Sequence, residues 1–438
     1  MDKQNPRQNK SVLPVAPKPK PPFSPESAQA RDIYYSPNKN TYFTDVATKI
    51  RIGFFICIVS LVAIIFFGLA VFSSEITTTN VQHLIRAFSI AFSPSETDNI
   101  VFAYDSDSQM AFATFGPDFA VASTRGVVLF DRMGNTAFRN QQTFTNPQLI
   151  SAAGVNGRLL AYDRGGFGFA IYNSFGLMHQ STNLEFPIFA AAVAGNGTYA
   201  IATRNRIARS EIFIYNHNFN RLSAITNSGH IISLDISADG RHLLMVFANT
   251  NAIGQNITDI KVFYIATATD SREVVFQETI TNSTPIDAMF NDSGGITVLL
   301  SSGLIFFDSE YNISTGYQFS DRNYTEFLLG TNMTAIIYRE AVVGNRNGII
   351  LIDNNGEIIL QNGLVGRISR IAISQDYLYV AVTGKLYRFH VDGSIEYIDR
   401  DSGLLALLPL ADGEILLCYS ATAYRAVFAN AVSETTPE

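Results

Sequence analysis

Six histidines (His83, His179, His217, His230, His242, His390) and two cysteines (Cys57, Cys418) are the residues of this 438-residue chain best suited to bind a metal or attack a substrate. No two histidines stand at the i, i+4 spacing of a helical zinc site or the i, i+2 spacing of a strand site. There is no Gly-x-Ser-x-Gly elbow, and no cysteine lies near a plausible histidine partner. Asp105, Asp107 and the run Asp353-Asn354-Asn355 carry the oxygen ligands that hard cations want. Neither stretch follows the calcium-loop spacing, and Asp and Asn serve tight turns equally well. The expectation is a protein that is not an enzyme, with no catalytic residue, metal or cofactor.

Two groups of residues have chemistry suited to binding. Arg204, Arg206 and Arg209, in RNRIAR, form the densest basic cluster beyond residue 72, and Arg346, in VVGNRNG, occupies the comparable loop of a later repeat. They suit an anionic partner such as a cell-wall polymer, or they simply form solvated loops. Nearer the start, LPVAPKPKPPFSP sets Pro14 and Pro17, Pro19 and Pro22, and Pro22 and Pro25 at P-x-x-P spacing. Such a tract favours polyproline II and either docks in an aromatic groove of a cytosolic partner or acts as a spacer. Seven Asn-x-Ser/Thr triplets beyond residue 72 read as hairpin-loop chemistry.

The elements that must position these groups begin with a membrane segment. Residues 52–72, IGFFICIVSLVAIIFFGLAVF, carry no charge and are long enough to cross a bilayer of about 30 Å. About fifty residues precede them and no cleavage site follows, which points to a retained signal anchor. Residues 1–51 hold nine Lys/Arg against four Asp/Glu, so the N-terminus is expected in the cytoplasm and the C-terminal part outside. That outer part has a net charge of −12, which argues against nucleic acid as a partner.

The expected organisation is a disordered Pro/Lys-rich tail over 1–48 and a transmembrane helix over 49–73. A juxtamembrane linker with a short amphipathic helix (Val81, Leu84, Ile85, Phe88, Phe92) follows over 74–98, then a β domain over 99–430 and a disordered terminus over 431–438.

Within the β domain one phrase recurs: GVVLFDRMGNTAF, GFAIYNSFGLMHQ, GLIFFDSEYNIST and GIILIDNNGEIIL are each two apolar runs joined by a turn. Anchored on Leu129, Ile171, Ile214, Val262, Ile305, Ile350, Leu386 and Ala426, the repeat is about forty residues, the length of one four-stranded propeller blade. The last unit stops one strand short, while NIVFAYD (99–105) is a spare strand at the start. The pattern therefore predicts an all-β, eight-bladed propeller latched by its own two ends, with seven blades as the alternative.

LDISADGRHLLMVFAN is similar to a phrase common in bacterial WD40 and TolB-like propellers, and GIILIDNNGEIIL to that of quinoprotein-like (PQQ-like) ones. Joined to a tail and one anchor, the chain resembles an uncharacterised bacterial family of single-pass, membrane-anchored WD40/PQQ-like propellers, a domain of unknown function. It departs from them in having no tryptophan, so Phe and Tyr must dock its blades, and it has no adjacent cysteine pair for a quinone. The resemblance implies architecture and no activity; a rigid propeller presents loops at both ends of its ring, so the expectation is a non-catalytic scaffold for an envelope protein or cell-wall polymer. The alternatives are a glycan-acting or quinoprotein-like enzyme with carboxylates gathered in the funnel, and a small-ligand sensor.

Overall fold

A computed structural model describes residues 41–71 and 101–433, apart from 155, 266–273, 321, 341–344, 401, 411–412 and 429–431. The Pro-rich tract and the juxtamembrane segment lie outside the described residues.

Helix α1, Thr41–Val71, contains a stretch, Val46–Ala63, with mean hydropathy 2.0, and every side chain of that stretch is exposed. By length and composition it suffices to cross a membrane. It begins eight residues before the expected position 49, because no Pro or Gly lies between Pro37 and Gly53 to stop the helix propagating backwards.

From residue 101 onward the chain forms eight antiparallel sheets. Blades 1 to 7 are up-and-down meanders of four consecutive strands, over 110–141, 147–181, 188–227, 230–281, 285–318, 323–365 and 368–399. Blade 8 combines three strands within 406–426 with Val101–Ala103. The first strand of each blade touches the first strands of its neighbours, and that of blade 8 touches that of blade 1, so the sheets close into a ring with the first strands innermost. There are eight blades, not seven.

The latch pairs Val101 with Tyr424, Phe102 with Ala423 and Ala103 with Thr422. The Tyr104 hydroxyl donates to the carbonyls of Tyr419 (2.6 Å) and Thr422 (2.8 Å). The Phe102 ring packs edge-on against Phe119 of blade 1, centroids 5.1 Å apart, so the latch also ties blade 8 to blade 1.

All eight repeat anchors fall in third strands, and the recurring phrase is the hairpin between third and fourth strands. In blade 6 Asp353 organises it: its Oδ1 accepts from the amides of Asn355 (2.9 Å) and Glu357 (2.8 Å). Gly356 completes the turn at φ +79°. Asp131 and Asp308 make the same pair of contacts in blades 1 and 5. These carboxylates are turn formers, as their spacing suggested.

Phe and Tyr replace the missing tryptophans. Tyr172, Tyr199, Tyr379, Phe169 and Phe247 are among the largest fully buried side chains. Tyr172 of blade 2 stacks on Phe138 of blade 1 at 5.4 Å, and Tyr379 of blade 7 meets Phe428 at 6.1 Å. Cys418 is buried in blade 8 in the cluster of Phe102, Phe119 and Phe130, and burial pushes its thiol pKa up.

A second boundary differs from expectation. Val432–Ser433, placed by the sequence in a disordered terminus, pairs with Tyr397 and Glu396 as a fifth strand of blade 7. The outer strand of a blade presents an unpaired edge, which captures a passing segment through main-chain hydrogen bonds alone.

Candidate functional site

Alternating strand direction sorts the loops onto the two ends of the ring. Hairpins joining second to third strands, and crossovers from each outer strand to the next inner one, share one end, here the crossover end. The remaining hairpins share the other, the hairpin end.

The innermost strands of blades 3 to 7 each carry a register shift at their second or third residue, next to the crossover end. A bulge leaves one residue unpaired and re-aims its side chain. In blades 6 and 7 that residue is Thr325 or Ser369. In blades 3, 4 and 5 it is Phe189, Ile232 or Ile286, and these are 39%, 37% and 45% exposed.

Neighbouring loops add to this apolar sector. In blade 3 the Asn205 side-chain oxygen accepts from the amides of Ile207 (2.8 Å) and Ala208 (3.0 Å), while its amide donates to Glu211 at 2.7 Å. In blade 4 Asn251 accepts from Ile253 (3.1 Å) and Gln255 (2.9 Å). Each turn holds up an isoleucine two residues on, Ile207 fully exposed and Ile253 at 78%. Phe167 sits in the equivalent loop of blade 2 and is also exposed. Single exposed apolar side chains need no explanation; several on pinned loops and bulges of four consecutive blades form a contact surface.

Charge divides the same way. Among the described loop residues of the crossover end, Arg125, Arg164, Arg204, Arg206, Arg209 and Arg367 are exposed, and Arg322 and Arg400 belong to the same end. Asp105, Asp107, Glu185 and Glu340 oppose them there. At the hairpin end the described loops hold nine carboxylates, among them Asp131, Asp239, Asp292, Asp308 and Asp392, against Arg132 and Arg241. The acidic ring thus has one basic end.

The arginines singled out by sequence all lie at this end, but not together. Arg204, Arg206 and Arg209 share the blade 3 loop, where Arg206 approaches Glu185 at 3.6 Å and lies over the Phe186 ring at 5.7 Å. Arg346 is three blades away and is ion-paired with Glu340 at 2.5 Å. Phe189, Ile232 and Ile286 escaped the sequence reading, although the doublets Ile188-Phe189 and Ile231-Ile232 break the alternation of an inner strand and mark the bulge.

Carboxylates also meet on the inner strands. Asp235 of blade 4 accepts from the amides of Ile236 (2.9 Å) and of Phe290 in blade 5 (2.8 Å). Asp287 of blade 5 accepts from Ala288 N and from Ser233 Oγ of blade 4, both at 2.8 Å. Burial, with Asp287 nearby, pushes the Asp235 carboxyl up to about 6. Each acid is held by main-chain donors across or within the blade junction, so the pair acts as a stitch between blades.

Where blade 8 meets blade 1, a cavity of about 550 Å³ is lined by Tyr104, Asp105, Arg125, Arg139 and Gln142, with Arg139 paired to Asp105 at 3.0 Å. Its wall is polar and apolar in nearly equal measure, with Val121 and Val128 beside the charged pair. Among the described residues no three of His, Cys, Asp or Glu converge as metal ligands. His179 stacks on Phe219, and His390 Nδ1 lies 2.9 Å from Asp392.

The fold defines an eight-bladed propeller preceded by one helix apolar enough to span a membrane. The chain belongs to a family of unknown function, DUF5711, whose pattern matches residues 93–414. No curated protein sequence matches it. Among solved structures it is similar to BamB from Moraxella catarrhalis, at 14% identity over 74% of this chain and 95% of that one, TM-score 0.49. It is also similar to a eukaryotic initiation factor, at 15% identity over 69% and 96%, TM-score 0.42. At these levels the likeness concerns architecture and carries no argument about activity.

Proposed function

We propose that this protein is a non-catalytic binding scaffold, tethered to a bacterial cytoplasmic membrane by α1, with its propeller outside the cell. The observation that carries the reading is the apolar sector of the crossover end: Phe189, Ile207, Ile232, Ile253 and Ile286, all exposed on bulges or pinned loops of three adjacent blades. Fully burying an exposed side chain of this size contributes roughly 1.5–3 kcal/mol; Ile207 and Ile253 have most of their surface still to bury and the other three less than half, so together they suffice for a specific interface. The excess of Lys/Arg before α1 supports a cytoplasmic N-terminus. Its P-x-x-P tract then offers a cytosolic partner a separate site.

The experiment is chemical cross-linking in intact membranes followed by affinity purification, comparing the full chain with a version lacking residues 1–45 and with Phe189→Ser/Ile232→Ser/Ile286→Ser. An envelope protein or wall polymer recovered with the first two and lost with the third supports the scaffold. Equal recovery with all three rejects it. A second reading, a glycan-acting enzyme, draws on the raised Asp235 carboxyl beside Asp287. It requires glycan cleavage that disappears in both Asp235→Asn and Asp287→Asn.

A further inference from the structure

Resting on that reading, we infer the chemistry of the partner: the crossover end docks an acidic protein segment that interleaves carboxylates with large apolar side chains. The inference rests on the arrangement of two kinds of residue on one surface.

The basic residues are concentrated against the grain of the molecule. The part beyond residue 72 has a net charge of −12, and the hairpin end is strongly acidic, yet arginines outnumber carboxylates in the described loops of the crossover end. A basic end on an acidic ring attracts an acidic surface, repels others and orients the encounter.

The apolar residues separate a protein from a polyanion. A wall polymer or lipid phosphate needs cations alone, and guanidinium groups would serve it best from polar surroundings. Here Ile207 stands between Arg206 and Arg209 in the same loop, fully exposed, on a turn that Asn205 fixes by two main-chain contacts and a third to Glu211. Ile253 is held in the same manner one blade on, and Phe189 and Ile232 line the inner rim beside these two loops. Pre-ordered apolar knobs lose little entropy on binding, and they reward only a partner that brings apolar groups of its own.

The test uses the full chain in native membranes, carrying the photo-cross-linker p-benzoylphenylalanine in place of Ile253 at the crossover end or Met133 at the hairpin end. The adduct is mapped by mass spectrometry after treatment with protease, muramidase or lipid solvent. The inference expects an Ile253 adduct that is protease-sensitive and maps to a peptide with net negative charge and several large apolar residues. Its yield should fall about tenfold in R204E/R206E/R209E and survive in R204K/R206K/R209K, since surface charge pairs are individually weak but add along one face.

An adduct removed by muramidase or lipid solvent, one on a neutral or basic peptide, or one on the acidic hairpin end of a second copy overturns the inference while leaving a scaffold. A yield at Ile253 no greater than at Met133 overturns the inference and the scaffold reading together.

Discussion

The Phe219 ring lies flat on His179, centroids 4.9 Å apart and planes 10° from parallel, although Phe219 adopts a left-handed backbone at φ +65°. In the matching turns of blades 1 and 6 that position is Gly134 or Gly356. Blade 3 therefore tolerates backbone strain to set an aromatic ring against blade 2, where a tryptophan-bearing propeller has other means.

Replacing Phe219 separates strain from stacking. Phe219→Ala keeps an unfavourable φ and loses the ring, whereas Phe219→Gly loses the ring but relieves about 1 kcal/mol of strain. Urea midpoints should fall in the order wild type, Phe219→Gly, Phe219→Ala. A Gly variant no more stable than the Ala variant would show that the left-handed backbone costs nothing here.

Two buried tyrosines should respond oppositely to loss of a hydroxyl. Tyr172 accepts from Asn140 Nδ2 at 2.9 Å, and burial raises its pKa to about 12. The Tyr199 hydroxyl is buried without a hydrogen-bond partner. Tyr172→Phe should cost about 1 kcal/mol and Tyr199→Phe should cost nothing or stabilise by a similar amount, read by urea titration.

Asp235 makes part of the ring's stability pH-dependent. Its folded carboxyl, raised to about 6 from 3.8, binds a proton more tightly than in the unfolded chain. This group's stabilisation is therefore complete below about pH 3.8 and is lost as pH rises through 6. The melting temperature of Asp235→Asn, relative to wild type, should improve between pH 4 and pH 7. A constant difference over that interval would contradict the assignment.

The latch depends on Tyr104, whose hydroxyl holds two carbonyls of blade 8. Tyr104→Phe should speed amide hydrogen exchange in 101–105 and 422–426 about tenfold or more, with outer strands on the far side of the ring unchanged. Uniform acceleration around the ring would mean that blade 8 opens only with the whole.

Local pattern made the architecture readable. In blades 1, 2, 3, 5 and 6 the third strand is an apolar run followed by an Asx turn, and a spare strand at one end matched a missing strand at the other. The helix start at Thr41 and the strand Val432–Ser433 were not readable, since each depends on what a neighbouring element leaves unpaired or uninterrupted. The binding surface was half visible. Arg204, Arg206 and Arg209 stand out as a charge run, but Phe189, Ile232 and Ile286 look like core residues until the bulges expose them. The Asp235–Ser233–Asp287 stitch joins residues more than fifty positions apart, and local spacing has no access to it.

Because residues 101–103 pair with a strand that ends at Ala426, blade 8 cannot be assembled until synthesis has passed that strand. At typical ribosomal speeds the first strand waits roughly 15 to 65 s for its mate. Throughout that interval it is an orphan edge open to capture by other nascent chains, so the yield of closed rings should respond to translation speed.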